Sequence, residues 1–207
     1  MSGKQPKKAT KRPIRQAKQQ RSKATVDAIV QAAAQILSES GWSALNTNAV
    51  ATRAGVSIGS LYEYFPDKHA ILTVIVDEHL AAGEAKLAEG MRAMFGIKSM
   101  EEVVEAVVSG FVHLHQEDPR LHRVLSSEVP LSFEQQRRVA GLRSQIVGGV
   151  AVALSKHGCD NEIKATLLVD TADALTHKWF IDKAGLPASA DIMAEEVSKM
   201  LKGYLSA

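Results

Sequence analysis

The stretch TNAVATRAGVSIGSLYEYFPDK, residues 47–68, constrains the fold of this chain more tightly than any other. A helix started at Thr47, with its hydroxyl as the cap, puts Val50 and Ala54 on one face and Ala51 beside them. Gly55 then falls at the stop, where a residue at ease with positive φ is required. Ser57 can cap a second helix over about residues 58–65, carrying Leu61 and Tyr64. Two short helices crossing steeply over a three-residue turn need a small residue where the backbones approach, and Ala51 supplies it. They also need apolar residues to seal the corner, which Val50, Val56 and Leu61 provide. Caps, turn and seal are all in register, so the pattern predicts a helix-turn-helix whose second helix is the recognition element.

The rest of the chain reads with a helical period. Val26, Ile29, Val30, Ala33, Ile36 and Leu37 form a stripe that stops at Gly41. Asp67 can cap a long helix reaching about Phe95, and Asp118-Pro119 marks a break and a new helix start. Further stripes run from Val103 to Leu114, Val139 to Leu154, Ile163 to Trp179 and Met193 to Tyr204. No segment alternates as a strand does. The expected fold is all-α, with about nine helices. Gly148-Gly149 inside one of them marks either a close helix approach or a bend.

The net charge of +2 conceals an asymmetry. Residues 1–23 hold nine basic side chains and no acidic one, leaving 16 basic and 23 acidic groups in the remainder. A basic arm over residues 1–21, including Lys11, Arg12, Arg15, Lys18 and Arg21 and followed by Lys23, is expected to be disordered when unbound and to favour a polyanionic partner. Residues 24–68 carry only Arg53 and Lys68 against Asp27, Glu39, Glu63 and Asp67, so the helix-turn-helix itself is slightly acidic. The arm is therefore expected to supply most of the non-specific attraction to nucleic acid, along the backbone or in the minor groove. No apolar run approaches the roughly 18 residues needed to cross a bilayer, and without an apolar h-region near residue 1 a signal peptide is not expected. Cys159, the single cysteine, excludes an intrachain disulfide and suits a reducing compartment, so a cytoplasmic, nucleoid-associated protein is expected.

From about Arg21 to Ala82 the sequence resembles the DNA-binding domain of the TetR family of bacterial transcription regulators. The resemblance rests on Ile29, Ala33, Leu37, Gly41 and Thr47, on Ala51 with Ala54-Gly55-Val56-Ser57, and on the run Gly59 to Lys68 with Leu72. The family pattern Gly-x-x-Tyr-x-x-Phe-x-x-Lys-x-x-x-Leu is matched at Gly59, Tyr62, Phe65, Lys68 and Leu72. It implies a homodimer binding double-stranded operator DNA, with Thr47, Tyr62 and Lys68 on phosphates and Ser57, Ile58, Gly59, Ser60 and Glu63 at or near base edges. Glu63-Tyr64 and Pro66 depart from the commonest form, in which Tyr-His precedes the Phe and a Lys follows it. Glu63 either accepts a hydrogen bond from a cytosine amine or points to solvent, and Tyr64 belongs to the same DNA-facing segment.

The implied organisation is an arm over 1–21, a DNA-binding domain over 22–82 and an effector-binding and dimerisation domain over 83–207. Helices at about 161–183 and 189–205 suit an antiparallel pair that meets its counterpart in a four-helix bundle, with Trp179, Met200 and Tyr204 as apolar surface. A pocket for a small-molecule effector is placed among Phe95, Phe111, His115, Leu121, Leu125 and Trp179. His113 and His115 stand two apart and face different ways on a helix, and His113 with Glu117 gives only two ligands, so no metal site or cofactor is expected. Arg120, Arg123, Arg137, Arg138 and Arg143 are not accompanied by the nucleophile or carboxylate set that a nucleic-acid enzyme requires, so catalysis is not expected. A ligand-responsive repressor is the expected function. A nucleoid-architectural protein is the alternative that DNA footprinting separates from it.

Overall fold

The computed structural model describes residues 14–94, 96–181 and 188–206, with side chains from residue 21 onward. Its order is α1 (Ile14–Ser40), a 3-10 turn (Trp42–Ala44), α2 (Thr47–Ala54), α3 (Ile58–Tyr62), α4 (Lys68–Met94) and α5 (Met100–Gln116). Then come α6 (Pro119–Ser127), α7 (Phe133–Ser155), α8 (Glu162–Phe180) and α9 (Ala190–Ser206). All regular structure among the described residues is helical, as the periodicity predicted.

The ends of the helices follow the cap chemistry. Gly41, at φ 78°, ends α1, and Gly158, at φ 81°, follows α7. Asp118 accepts from Leu121 N with Pro119 in the first turn of α6, and Ser132 with Gln135 forms a capping box on α7. At the N-terminus, α1 starts at Ile14, inside the segment expected as a free arm. The reason is compositional: Gln16, Ala17, Lys18, Gln19, Gln20 and Arg21 are good helix formers, and they continue a helix already anchored by buried Ile29, Ala33 and Leu37. Arg15 and Lys18 thus stand on α1, and Arg21 and Lys23 are exposed there, whereas Lys11 and Arg12 lie outside the described residues.

Two apolar cores form. The first gathers Ile29, Leu37, Leu45, Val50, Leu61, Ile71 and neighbours from α1 to α4. The second gathers Val103, Val104, Val108, Leu154, Leu168 and neighbours from α5 and α7 to α9. The helix α6 lies after the expected boundary at residue 83, yet its Val124 and Leu125 are buried in the first core, with Leu121 packed against it. Helix α4, 27 residues and about 40 Å long, runs from the first core to Met94 beside the second. Gly149 on α7 faces Met91 on α4, and a Cβ there would come within 2.8 Å of Met91 Cε; Gly148 meets nothing. The close approach is therefore at Gly149 alone, against the flexible end of the Met91 side chain. No helix among the described residues is long and apolar enough to cross a membrane.

Candidate nucleic-acid interface

The corner at residues 46–68 is built from short-range contacts. The α2 cap is Asn46, whose side chain accepts from Ala49 N at 2.9 Å, and Thr47 is the first helical residue. The expected cap was thus one position late; freed from capping, the Thr47 hydroxyl is available for another partner. Gly55 adopts the left-handed conformation at φ 68°. Its N–H donates to Thr52 O while Val56 N donates to Ala51 O, the paired bonds of a Schellman stop. Ser57 Oγ accepts from Ser60 N at 3.0 Å and caps α3.

Helix α3 has five residues and ends at Tyr62, shorter than the expected 58–65. Phe65 must turn inward to reach the first core, where it is buried, and the chain has to bend ahead of Pro66. A single turn of helix is not stable alone. Fully buried Leu61, the Ser57 cap and contacts with α2 hold it in place.

What this corner presents outward is specific. Ser57, Ile58, Gly59, Tyr62 and Glu63 are exposed, and Ser60 is half-buried with its hydroxyl accepting from Ser57 Oγ at 2.9 Å. Gly59 has only Ser57 Oγ near its missing Cβ, so the start of α3 is open to close approach. Thr47 Oγ1 lies 3.1 Å from Tyr62 Oη and ties the first turn of α2 to the end of α3. Tyr64 is different: it is half-buried and packs against the first core.

Lys68 opens α4, where a cation is disfavoured by the helix dipole. Its Nζ sits 4.1 Å from the centre of the Trp42 ring, which offsets that cost by a cation–π contact. Trp42 itself is positioned by its backbone N–H, which donates to Glu128 Oε2 at 3.1 Å, while Arg123 donates to Glu128 Oε1 at 3.0 Å. The sequence reading overlooked Trp42 and Glu128, which are 86 positions apart and carry no shared local pattern. Arg53 is engaged with Glu39 at 2.6 Å. Lys68 is thus the cation of residues 24–68 left for an external anion.

Residues 29–75 match the family model for bacterial regulatory proteins of the tetR family, and residues 99–205 match that for the tetracyclin repressor-like C-terminal domain. The chain belongs to the TetR family of bacterial transcription regulators. It is a DNA-binding regulator, of a family that is not enzymatic and whose members form dimers through the C-terminal domain. Among curated proteins it resembles the HTH-type transcriptional regulator UidR of Escherichia coli strain K12, 25% identical over 171 residues and 83% of each chain. Among solved structures, NalD of Pseudomonas aeruginosa, the secondary repressor of a multidrug efflux pump, superposes with TM-score 0.65 at 18% identity, covering 88% of this chain and 95% of that one. FadR of Bacillus subtilis, solved with stearoyl-CoA, gives TM-score 0.61 at 17% identity, covering 84% of this chain and 96% of that one. These two likenesses concern the fold.

The residues expected around an effector are distributed over both cores of this TetR-family chain. Phe111 and Trp179 belong to the second core, Leu121 and Leu125 to the first, and Phe95 lies outside the described residues. His115 is buried between the two and bonded to Phe111 O and Thr176 Oγ1. A cavity of about 410 Å³ opens beside α1 and α4, with Val30, Ala34, Ile75 and Leu121 as its apolar wall and Asp27, Glu78 and His79 beside them.

Proposed function

We propose that this TetR-family regulator is a homodimeric repressor that binds a palindromic operator through α2 and α3 and leaves it when a small-molecule effector binds the helical body. The observation that carries the reading is the outward face itself: an open α3 start at Ser57, Ile58 and Gly59, flanked by the Thr47–Tyr62 hydroxyl pair and by Lys68 on Trp42. Hydroxyls and a lysine suit phosphates, while small residues let the backbone approach base edges. Glu63 is exposed just past the end of α3 and carries either base readout or plain solvent contact. Arg15, Lys18, Arg21 and Lys23, with Lys11 and Arg12 ahead of them, add sequence-independent attraction.

Dimerisation through α8 and α9 is supported by apolar side chains that one protomer leaves uncovered: Ile163 (69% exposed) and Leu167 on α8, and Ile192, Met200 and Tyr204 on α9. Trp179 is half-buried against the second core. Two recognition helices must reach major grooves about one turn, roughly 34 Å, apart, which a single protomer cannot do. Release by an effector is supported by relatives: NalD is described as a repressor, and FadR of Bacillus subtilis holds stearoyl-CoA. Footprinting on DNA fragments tests the reading. Protection confined to one inverted repeat is the expected result, and uniform coating would instead indicate an architectural protein.

A further inference from the structure

Four of the seven histidines, from four different helices, meet where the two cores face each other. His79 on α4 and His122 on α6 point nitrogens at each other, with Nε2 to Nδ1 at 3.1 Å. The His122 ring centre lies 5.0 Å from that of His115 on α5 and 5.8 Å from that of His177 on α8, and those last two are 5.5 Å apart. His79 and His122 sit on helices that pack in the first core, and His115 and His177 on helices that pack in the second. The cluster therefore spans the joint between the DNA-binding domain with α6 and the rest of the body.

We propose that this joint is a proton-responsive latch, closed while the imidazoles of His79, His115 and His122 are neutral and opened by acid, so that α4 and α6 loosen from α5 and α8. The first argument is geometric. A hydrogen bond between two imidazoles needs one N–H and one lone pair, so protonating both rings leaves two N–H groups facing each other at 3.1 Å. The second is charge. His115 Nδ1 donates to the Phe111 carbonyl at 2.9 Å, so its next proton goes to Nε2, which lies 3.6 Å from Asp173 Oδ1. That single carboxylate compensates one imidazolium and not several.

Other charged groups stand around the rim of the cluster, among them Asp27 of α1 and Glu78 of α4, which line the same cavity as His79. On α4, Lys86 lies near His79 and opposes its protonation, while Asp118, the α6 cap, and Glu117 after α5 favour it. Glu117 is itself paired with Lys86. On α8, Asp170 is held by Arg143 of α7 at 2.6 Å. Burial pushes the His79 and His115 values below 6.5, and burial with the neighbouring His115, His79 and His177 takes His122 down to about 3. Asp173 is pushed the other way by burial and acts in the opposite sense.

The sign follows from linkage. Groups depressed in the closed form and near 6.5 when opened to water take up protons on opening, so the closed form loses ground as pH falls below 6.5. Between pH 7.5 and 5.5, His122 alone shifts the opening equilibrium about tenfold.

The proposal concerns the regulation of the DNA-binding domain and so rests on the reading above, but its test needs no DNA, and the two fail separately. Amide hydrogen exchange of the full chain is followed at pH 7.5 and 5.5, corrected for the intrinsic exchange rate, with α6 as the probe and α2 as the internal reference. Protection of α6 is expected to fall about tenfold or more at pH 5.5 relative to α2. In His122→Gln, which keeps a polar group but does not titrate, the fall should shrink by about tenfold. His79→Gln is the second variant should the first lose its fold. Equal protection of wild-type α6 at both pH values, or an undiminished fall in a folded variant, would overturn the latch.

Discussion

Thr47 Oγ1 and Tyr62 Oη stand 3.1 Å apart on neighbouring helices, so the two hydroxyls form one polar unit at the rim of the helix-turn-helix. A phosphate received there would be bound by both. Tyr62→Phe is expected to weaken operator binding about tenfold, the size of one lost charge-assisted hydrogen bond of roughly 1.5 kcal/mol. Tyr62 is 52% exposed, so the melting temperature should hardly move. Equal affinity of variant and wild type in a fluorescence titration would place Tyr62 away from DNA.

Lys68 and Trp42 separate charge from its positioning. Lys68→Gln removes a cation and should lower the slope of log affinity against log salt by about one. Trp42→Leu leaves the cation but removes the ring held 4.1 Å beneath it. Affinity should fall while the slope stays, because the number of counterions released is unchanged. Matching slopes for Lys68→Gln and wild type would contradict a phosphate contact.

Leu61 is fully buried in a helix of five residues. Leu61→Ala should cost roughly 2–5 kcal/mol of stability in urea unfolding. Gly55→Ala meets no atom within 4 Å but must hold φ at 68°, so it should cost about 1–2 kcal/mol from backbone strain alone. A Gly55→Ala protein as stable as the wild type would show that the turn does not depend on the left-handed residue.

The helix-turn-helix was legible because its determinants lie within about twenty consecutive residues. Gly55, Ser57, Ala51 and Leu61 each answer a local requirement, and the structure gives each that place. The error at the cap was one position, Asn46 for Thr47, between neighbouring residues with similar capping chemistry. The half-buried setting of Tyr64 was less legible, because a five-residue helix does not keep the 3.6-residue phase beyond its end. The histidine cluster was not legible at all. His79, His115, His122 and His177 come from four separate helices, and only tertiary packing brings them together.

The basic residues ahead of α1 give a further expectation. Deleting residues 1–13 removes Lys4, Lys7, Lys8, Lys11 and Arg12 and leaves α1 whole. Affinity should drop for all DNA sequences alike, and the salt slope should become shallower. An unchanged slope would mean that the arm does not touch phosphates.

The central claim is that the α2–α3 face reads a defined sequence as one half of a dimer. Selection of bound duplexes from random DNA tests it most directly. The account predicts one enriched motif with inverted-repeat symmetry and half-sites about one helical turn apart, lost when Gly59 at the open start of α3 is replaced by Glu. Failure to enrich any motif, or enrichment of one that the Gly59→Glu protein still selects, would contradict it.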